Sequence, residues 1–86
     1  MRLGLIMGMG NDWRKSLETI KIAEQLGYEM VVTGEAWGPS AIPWLTAIAL
    51  NTSTIQIGSS ILNCFSRSPA AIAQEFATME VLSQGR

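Results

Sequence analysis

Three short apolar runs recur along this 86-residue chain at one fixed interval, and that interval limits the fold more than any other feature. "RLGLIMG" (Arg2–Gly8), "YEMVVTGE" (Tyr28–Glu35) and "IQIGSSIL" (Ile55–Leu62) each read as a strand, and Leu3, Glu29 and Ile55 are spaced 26 residues apart. The first run is almost continuously apolar and bounded by glycine, as expected of a strand buried on both faces. Hairpin signals are absent between the runs. Strands separated by this much chain pair in parallel through right-handed crossovers.

The intervening segments carry helical spacing. Trp13, Leu17, Ile20, Ala23 and Leu26 recur every three or four residues with charges between them. Asn11 or Asp12 caps the start, and Gly27 sits where a left-handed residue ends a helix. Ser40 is the expected N-cap of a second helix reaching about Leu50, with Pro43 tolerated in its first turn. "SP" at Ser68–Pro69 opens a third helix, whose stripe of Ile72, Phe76, Met79 and Leu82 runs toward Gly85.

The strand faces extend the argument. Leu3, Leu5 and Met7 share one face of the first strand and Ile6 the other; Met30 and Val32 oppose Val31 on the second. Same-handed crossovers running in one direction put all three helices on one side of the sheet. The other side still carries large apolar residues and needs a cover. The expected fold class is therefore α/β: the first three βα units of a TIM (β/α)8 barrel, parallel and incomplete, since such barrels run to about 250 residues.

Composition narrows the chemistry. Nearly half the residues are apolar (48%), which argues against disorder. Six Lys/Arg against seven Asp/Glu give a net charge of −1, with no basic stripe to neutralise phosphates, so nucleic acid is not an expected partner. Histidine is absent and Cys64 is the lone cysteine, which excludes a Cys/His zinc site or a histidine-activated nucleophile within the chain. The N-terminal apolar run is broken by Gly4 and Gly8 and lacks a small-x-small cleavage site, so it reads as a strand rather than a signal peptide. No stretch approaches the roughly 20 apolar residues of a membrane span. A cytoplasmic protein is expected, acting on a small molecule and away from membranes.

A barrel works at the C-terminal ends of its strands. "GMGN" (Gly8–Asn11) supplies glycines there, but Trp13 stands where a dinucleotide fingerprint needs its third glycine. Gly8 serves either a tight turn or the close approach of a ligand. "GEAWG" puts Glu35 at the second mouth, either for ligand binding and proton transfer or as a solvated or helix-capping acid. Trp37 beside it is a packing residue or a stacking platform. In "GSSILNCFSRSP" the small residues Gly58, Ser59 and Ser60 mark a bulge or a ligand pressed on the backbone. Asn63 can donate and accept at that mouth, and Arg67 pairs with an anion, with Glu35, or with solvent.

"LGYEMVVTGEAWG", "TSTIQIGSSILNCFSRSP" and the closing "LSQGR" together resemble the N-terminal part of the bacterial luciferase-like superfamily of flavin- and coenzyme F420-dependent oxidoreductases. The combination is most similar to the F420-dependent branch, and the resemblance covers essentially all of residues 1–86. It implies a TIM barrel whose mouth holds the ring of F420 or FMN, and a hydride-transfer or monooxygenase reaction on a small organic substrate. It also implies a third-strand bulge, often with a non-prolyl cis peptide, whose counterpart here lies within Ser59, Ser60 and Ile61. Glu35 is then the candidate catalytic residue, and Gly8, Trp37, Ser59, Ser60, Ile61, Asn63 and Arg67 are the candidate cofactor contacts, with no metal site. Fourth-strand and later contacts common in the family lie beyond Arg86, so the 86 residues read as an N-terminal fragment of the barrel domain, inactive alone. The other reading is a non-catalytic α/β module that dimerises through its bare sheet face or complements a separate chain.

Overall fold

A computed structural model describes residues 2–35 and 38–86. Its order is β1 (Gly4–Ile6), α1 (Trp13–Gln25), β2 (Met30–Gly34), α2 (Ala41–Asn51), β3 (Gln56–Ile61) and α3 (Pro69–Leu82). The strands form one parallel sheet in the order β1-β2-β3. Each neighbour in sequence is a neighbour in space, as successive right-handed crossovers require.

Helix boundaries follow local chemistry. Asp12 caps α1, its Oδ1 accepting from the Lys15 amide at 3.3 Å, and Gly27 takes φ +93° to turn the chain into β2. Ser68 caps α3 by accepting from the Ala71 amide at 3.0 Å, with Pro69 in the first turn. The end of α3 departs from expectation. Gln84 takes the left-handed conformation (φ 58°) ahead of Gly85, donating to Val81 O while Gly85 donates to Glu80 O. This pair of bonds is a Schellman closure built one residue earlier than the glycine suggested.

All three helices lie on the Val31 face. Leu17 and Ile20 of α1, Trp44, Leu45, Ile48 and Ala49 of α2, and Met79 of α3 close over Val31 and Ile55 in one buried cluster. Helix α2 sits between the other two and buries five of its eleven residues. Helix α3 packs on the flank of α2 and buries Met79 alone, so the rest of its expected stripe stays partly open. Trp13 and Leu26 likewise end up exposed at the two ends of the α1 stripe. The opposite sheet face is bare, with Ile6 78% and Met30 42% exposed.

At the N-terminal end of the sheet, charged side chains grip the α2–β3 connection from two sides. Glu24 Oε2 accepts from the amides of Ser53, Thr54 and Ile55 at 2.7–2.9 Å. Arg86 donates to Ala49 O, Thr52 Oγ1 and Ile55 O, while its own carbonyl accepts from the Ile57 amide on the outer edge of β3. No helix among the described residues is long and apolar enough to cross a membrane.

Candidate functional site

The C-terminal strand ends bring together Gly8, Glu35, Ser59, Ser60, Ile61, Asn63 and Arg67. Trp37 and its neighbour Ala36 lie outside the described residues. Strands β2 and β3 run in register from Met30↔Gln56 to Thr33↔Ser59, and then Gly34 pairs with Ile61. Ser60 is thus one residue in excess, a bulge at the place the small residues marked. The close approach needs Gly34, because a Cβ there would lie 3.1 Å from Ser60 Oγ and 3.4 Å from Ile61 Cβ. The cis peptide that the resemblance implied is not found: every peptide bond among the described residues is trans. The extra residue alone produces the register change.

Immediately past the bulge, Glu35 takes over from the ladder. Its amide donates to Ile61 O at 3.0 Å, and its side chain is 7% exposed. Oε1 accepts from the Asn63 amide (3.1 Å) and from Arg67 Nη1; Oε2 accepts from the Ala41 amide (2.5 Å) and from Arg67 Nη2 (3.2 Å). The carboxylate therefore caps α2 in place of Ser40, whose hydroxyl instead accepts from Arg67 at 3.2 Å. A carboxylate reaches farther than a serine hydroxyl and brings charge to the positive helix end.

Arg67 is equally committed. Its four Nη hydrogens go to Glu35 Oε1, Glu35 Oε2, Asn63 O and Ser40 Oγ, and Nε lies 3.3 Å from Glu75 Oε2. Of the partners open to Arg67 in the sequence, the fork takes Glu35, and no Nη donor is left to meet an anion.

The electrostatics follow from these contacts. The Arg67 hydrogen bonds hold the Glu35 carboxyl down to about 2, with the Ala41 and Asn63 amides adding to the effect and burial opposing it. Glu35 raises the Arg67 guanidinium in turn. A carboxylate with this acidity is charged at neutral pH and has no proton to give. Of the roles open to Glu35 in the sequence, the geometry shows the helix-capping one, with four donors converging on the carboxylate.

The remaining candidates are placed as follows. Asn63 is held at both its N–H and its C=O, and its Oδ1 accepts from the Phe65 amide at 3.0 Å. Ser60 and Ile61 are exposed beside the bulge, and Ser59 pairs with Thr33. Gly8 is exposed just after the last β1 rung, Met7 N to Val32 O. A shallow polar pocket of about 210 Å³ opens among Glu35, Gly38, Ser40, Asn63, Ser66 and Arg67. A larger apolar one of about 430 Å³ lies between the starts of α1 and α2, against Trp13, Pro43 and Trp44.

Sequence reasoning overlooked Phe65, 98% exposed on the turn that Asn63 and Arg67 hold. Its only signal was an aromatic residue inside a polar loop at a strand mouth. Glu24, which holds β3 from the opposite end, carried no motif, and Arg86, which holds it with Glu24, was read only as the last residue of "LSQGR".

Comparison with known proteins supplies the family. Residues 1–86 match the luciferase-like monooxygenase family throughout. The F420-dependent glucose-6-phosphate dehydrogenase of Segniliparus rotundus is 39% identical over 83 residues, covering 85% of this chain and 25% of that protein. The enzyme of the same name from Amycolatopsis mediterranei is 51% identical over 49 residues, 56% of this chain and 15% of that protein. The coenzyme F420-dependent tetrahydromethanopterin reductase of Methanopyrus kandleri superposes with a TM-score of 0.89 at 30% identity, over 99% of this chain and 25% of its own. This chain spans about a quarter, or less, of the length of the proteins it matches. Its three parallel βα units are thus part of a barrel wall, and the chain belongs to the luciferase-like monooxygenase family.

Proposed function

We propose that these residues supply the first three βα units of an F420-dependent oxidoreductase, which in its intact form moves a hydride between reduced deazaflavin and a small organic substrate. The observation that carries this reading is the one-residue bulge at Ser60, seated on Gly34 at the mouth of β3. Ser60 and Ile61 are exposed there, and Gly58 adds no side-chain bulk to β3, so the backbone offers a surface on which a flat ring can rest. The residues present fit such a ring. F420 is favoured over FMN because the similar proteins above are named for it.

When bound, the cofactor supplies the hydride chemistry. This chain's part is to hold the mouth. Ser60, Ile61 and the exposed Asn63 would hold the ring, and the Glu35–Arg67 pair keeps the turn fixed. Three units without the remaining strands leave the ring open to water on one side, so the chain alone binds weakly and turns nothing over.

Fluorescence titrations with F420 and with FMN test this directly. The expected result is an F420 response that does not saturate in the micromolar range, with no turnover. Saturable micromolar binding or turnover would show that the three units suffice. Tighter binding of FMN would overturn the choice of cofactor. Reading the DNA past the Arg86 codon in all three frames tests the larger claim. A glycine-rich apolar strand in any frame supports it, and nothing barrel-like beyond the codon refutes it.

The bare sheet face supports a second reading, a module that pairs with a copy of itself or with a complementing chain. Ile6 and Met30 are exposed there on an open parallel sheet. A defined dimer near twice 9.3 kDa, with no cofactor response, would favour that module; heterogeneous association would favour the barrel portion.

A further inference from the structure

We propose that Glu35 and Arg67 are positioning residues that set the shape of the β3 bulge and the Asn63–Arg67 turn, and that neither contacts the cofactor with its charge. The inference rests on the reading of the mouth given above and assigns the pair a role within it.

Connectivity carries the argument. Glu35 binds Ile61 O through its amide and the Asn63 amide through Oε1, so the residue just past β2 fixes the last residue of β3 and the start of the turn beyond it. Arg67 binds the Asn63 carbonyl, so the Asn63 residue is held at its N–H by the acid and at its C=O by the base. The same two side chains reach α2 through the Ala41 amide and Ser40 Oγ, and α3 through Glu75. Strand mouth, turn, the start of α2 and the middle of α3 are thereby referred to one ion pair. The donor count completes the case: Arg67 has spent all four Nη hydrogens inside the protein, and Glu35 has filled both oxygens. A lysine at position 67 keeps the charge but supplies no planar fork, and it cannot hold Glu35, Ser40 and Asn63 together.

Backbone amide exchange by NMR on the 86-residue chain tests the pair without any cofactor. In Arg67→Lys the Asn63 amide is expected to lose protection at least tenfold, while the Val31 and Ile48 amides change less than twofold. In Glu35→Gln both the Asn63 and Ala41 amides are expected to lose it. In the unaltered chain the Asn63 and Ala41 amide shifts should titrate together with a midpoint near 2, because both report one carboxylate. That measurement stands even if a variant does not fold. Unchanged Asn63 protection, equal loss across the core, or independent titration of the two amides would each overturn the proposal. An F420 titration of the unaltered chain reports separately on the cofactor reading, and its result leaves the exchange result intact.

Discussion

Acid should weaken this fold through Glu35, and Glu35→Gln should remove that share of the response. The carboxyl group titrates at 4.5 in the unfolded chain and at about 2 in the folded one. A depressed acid stabilises the folded state in full above its unfolded value, and this stability drains away as pH falls from about 4.5 toward about 2. At about 1.4 kcal/mol per pH unit the difference has a ceiling of about 3 kcal/mol. Water at the strand mouth screens the pair, so the realised contribution is about 1–2 kcal/mol. The assay is urea unfolding followed by tryptophan fluorescence at sub-micromolar protein, at pH 7, 4 and 2.5. The unaltered chain should lose about 1–2 kcal/mol more than Glu35→Gln between pH 7 and 2.5, the two curves converging at the acid end. Glu24 adds a second acid-sensitive contact: burial opposes its charge, but the Ile55, Thr54 and Ser53 amides prevail and lower it. Because Glu24 is present in both proteins, it cancels in the comparison. Parallel curves at all three pH values would refute the assignment of Glu35 as a buried, paired anion.

Gly34→Ala forces a methyl to within 3.1 Å of Ser60 Oγ and should cost about 1–3 kcal/mol, read as a lowered urea midpoint; an unchanged midpoint would mean the bulge does not press on Gly34. Glu24→Ala releases three loop amides to water and should cost about 1–2 kcal/mol by the same measurement, with the Ser53, Thr54 and Ile55 amides losing exchange protection together. Ile6→Lys puts a charge on the bare sheet face, where Ile6 is 78% exposed, and should reduce self-association in analytical ultracentrifugation while leaving far-UV circular dichroism unchanged.

Periodicity made the architecture legible. The 26-residue interval required parallel crossovers, and the alternation of Ile6 against Leu5 and of Met30 against Val31 showed that one apolar face would be left uncovered, though not which. Caps at Asp12 and Ser68 were legible because their side chains act within three residues. Ser40 stands at the N-cap of α2 as expected but its hydroxyl makes no cap bond, because the residue three positions on is Pro43, which has no N–H to give, and the hydroxyl meets Arg67 instead. The bulge was legible as a run of small residues, but its cause was not, since it depends on Gly34 in the neighbouring strand. Arg67 could be named and its partner only guessed among alternatives, because 32 residues separate it from Glu35. Glu24, 31 residues from Ile55, and Arg86, 37 residues from Ala49, make contacts of the same long-range kind, and nothing local to either residue pointed to these partners.

These long-range contacts explain why β3 must bulge. At its start the strand is fixed from both sides, by Glu24 on the Ser53–Ile55 amides and by Arg86 on Ile55 O and the Ile57 amide. At its end it is fixed again, by the Glu35 amide on Ile61 O and the Glu35 carboxylate on the Asn63 amide. Between Met30↔Gln56 and Gly34↔Ile61 the second strand supplies five residues and the third supplies six. With both ends held by charge-assisted hydrogen bonds, the surplus cannot slide out into either connection. It is expelled where resistance is least, opposite the residue with no side chain. The bulge at Ser60 is therefore the joint product of two carboxylates, two arginines and Gly34, and the shape of the strand mouth is decided as much at the far end of the sheet as at the site itself.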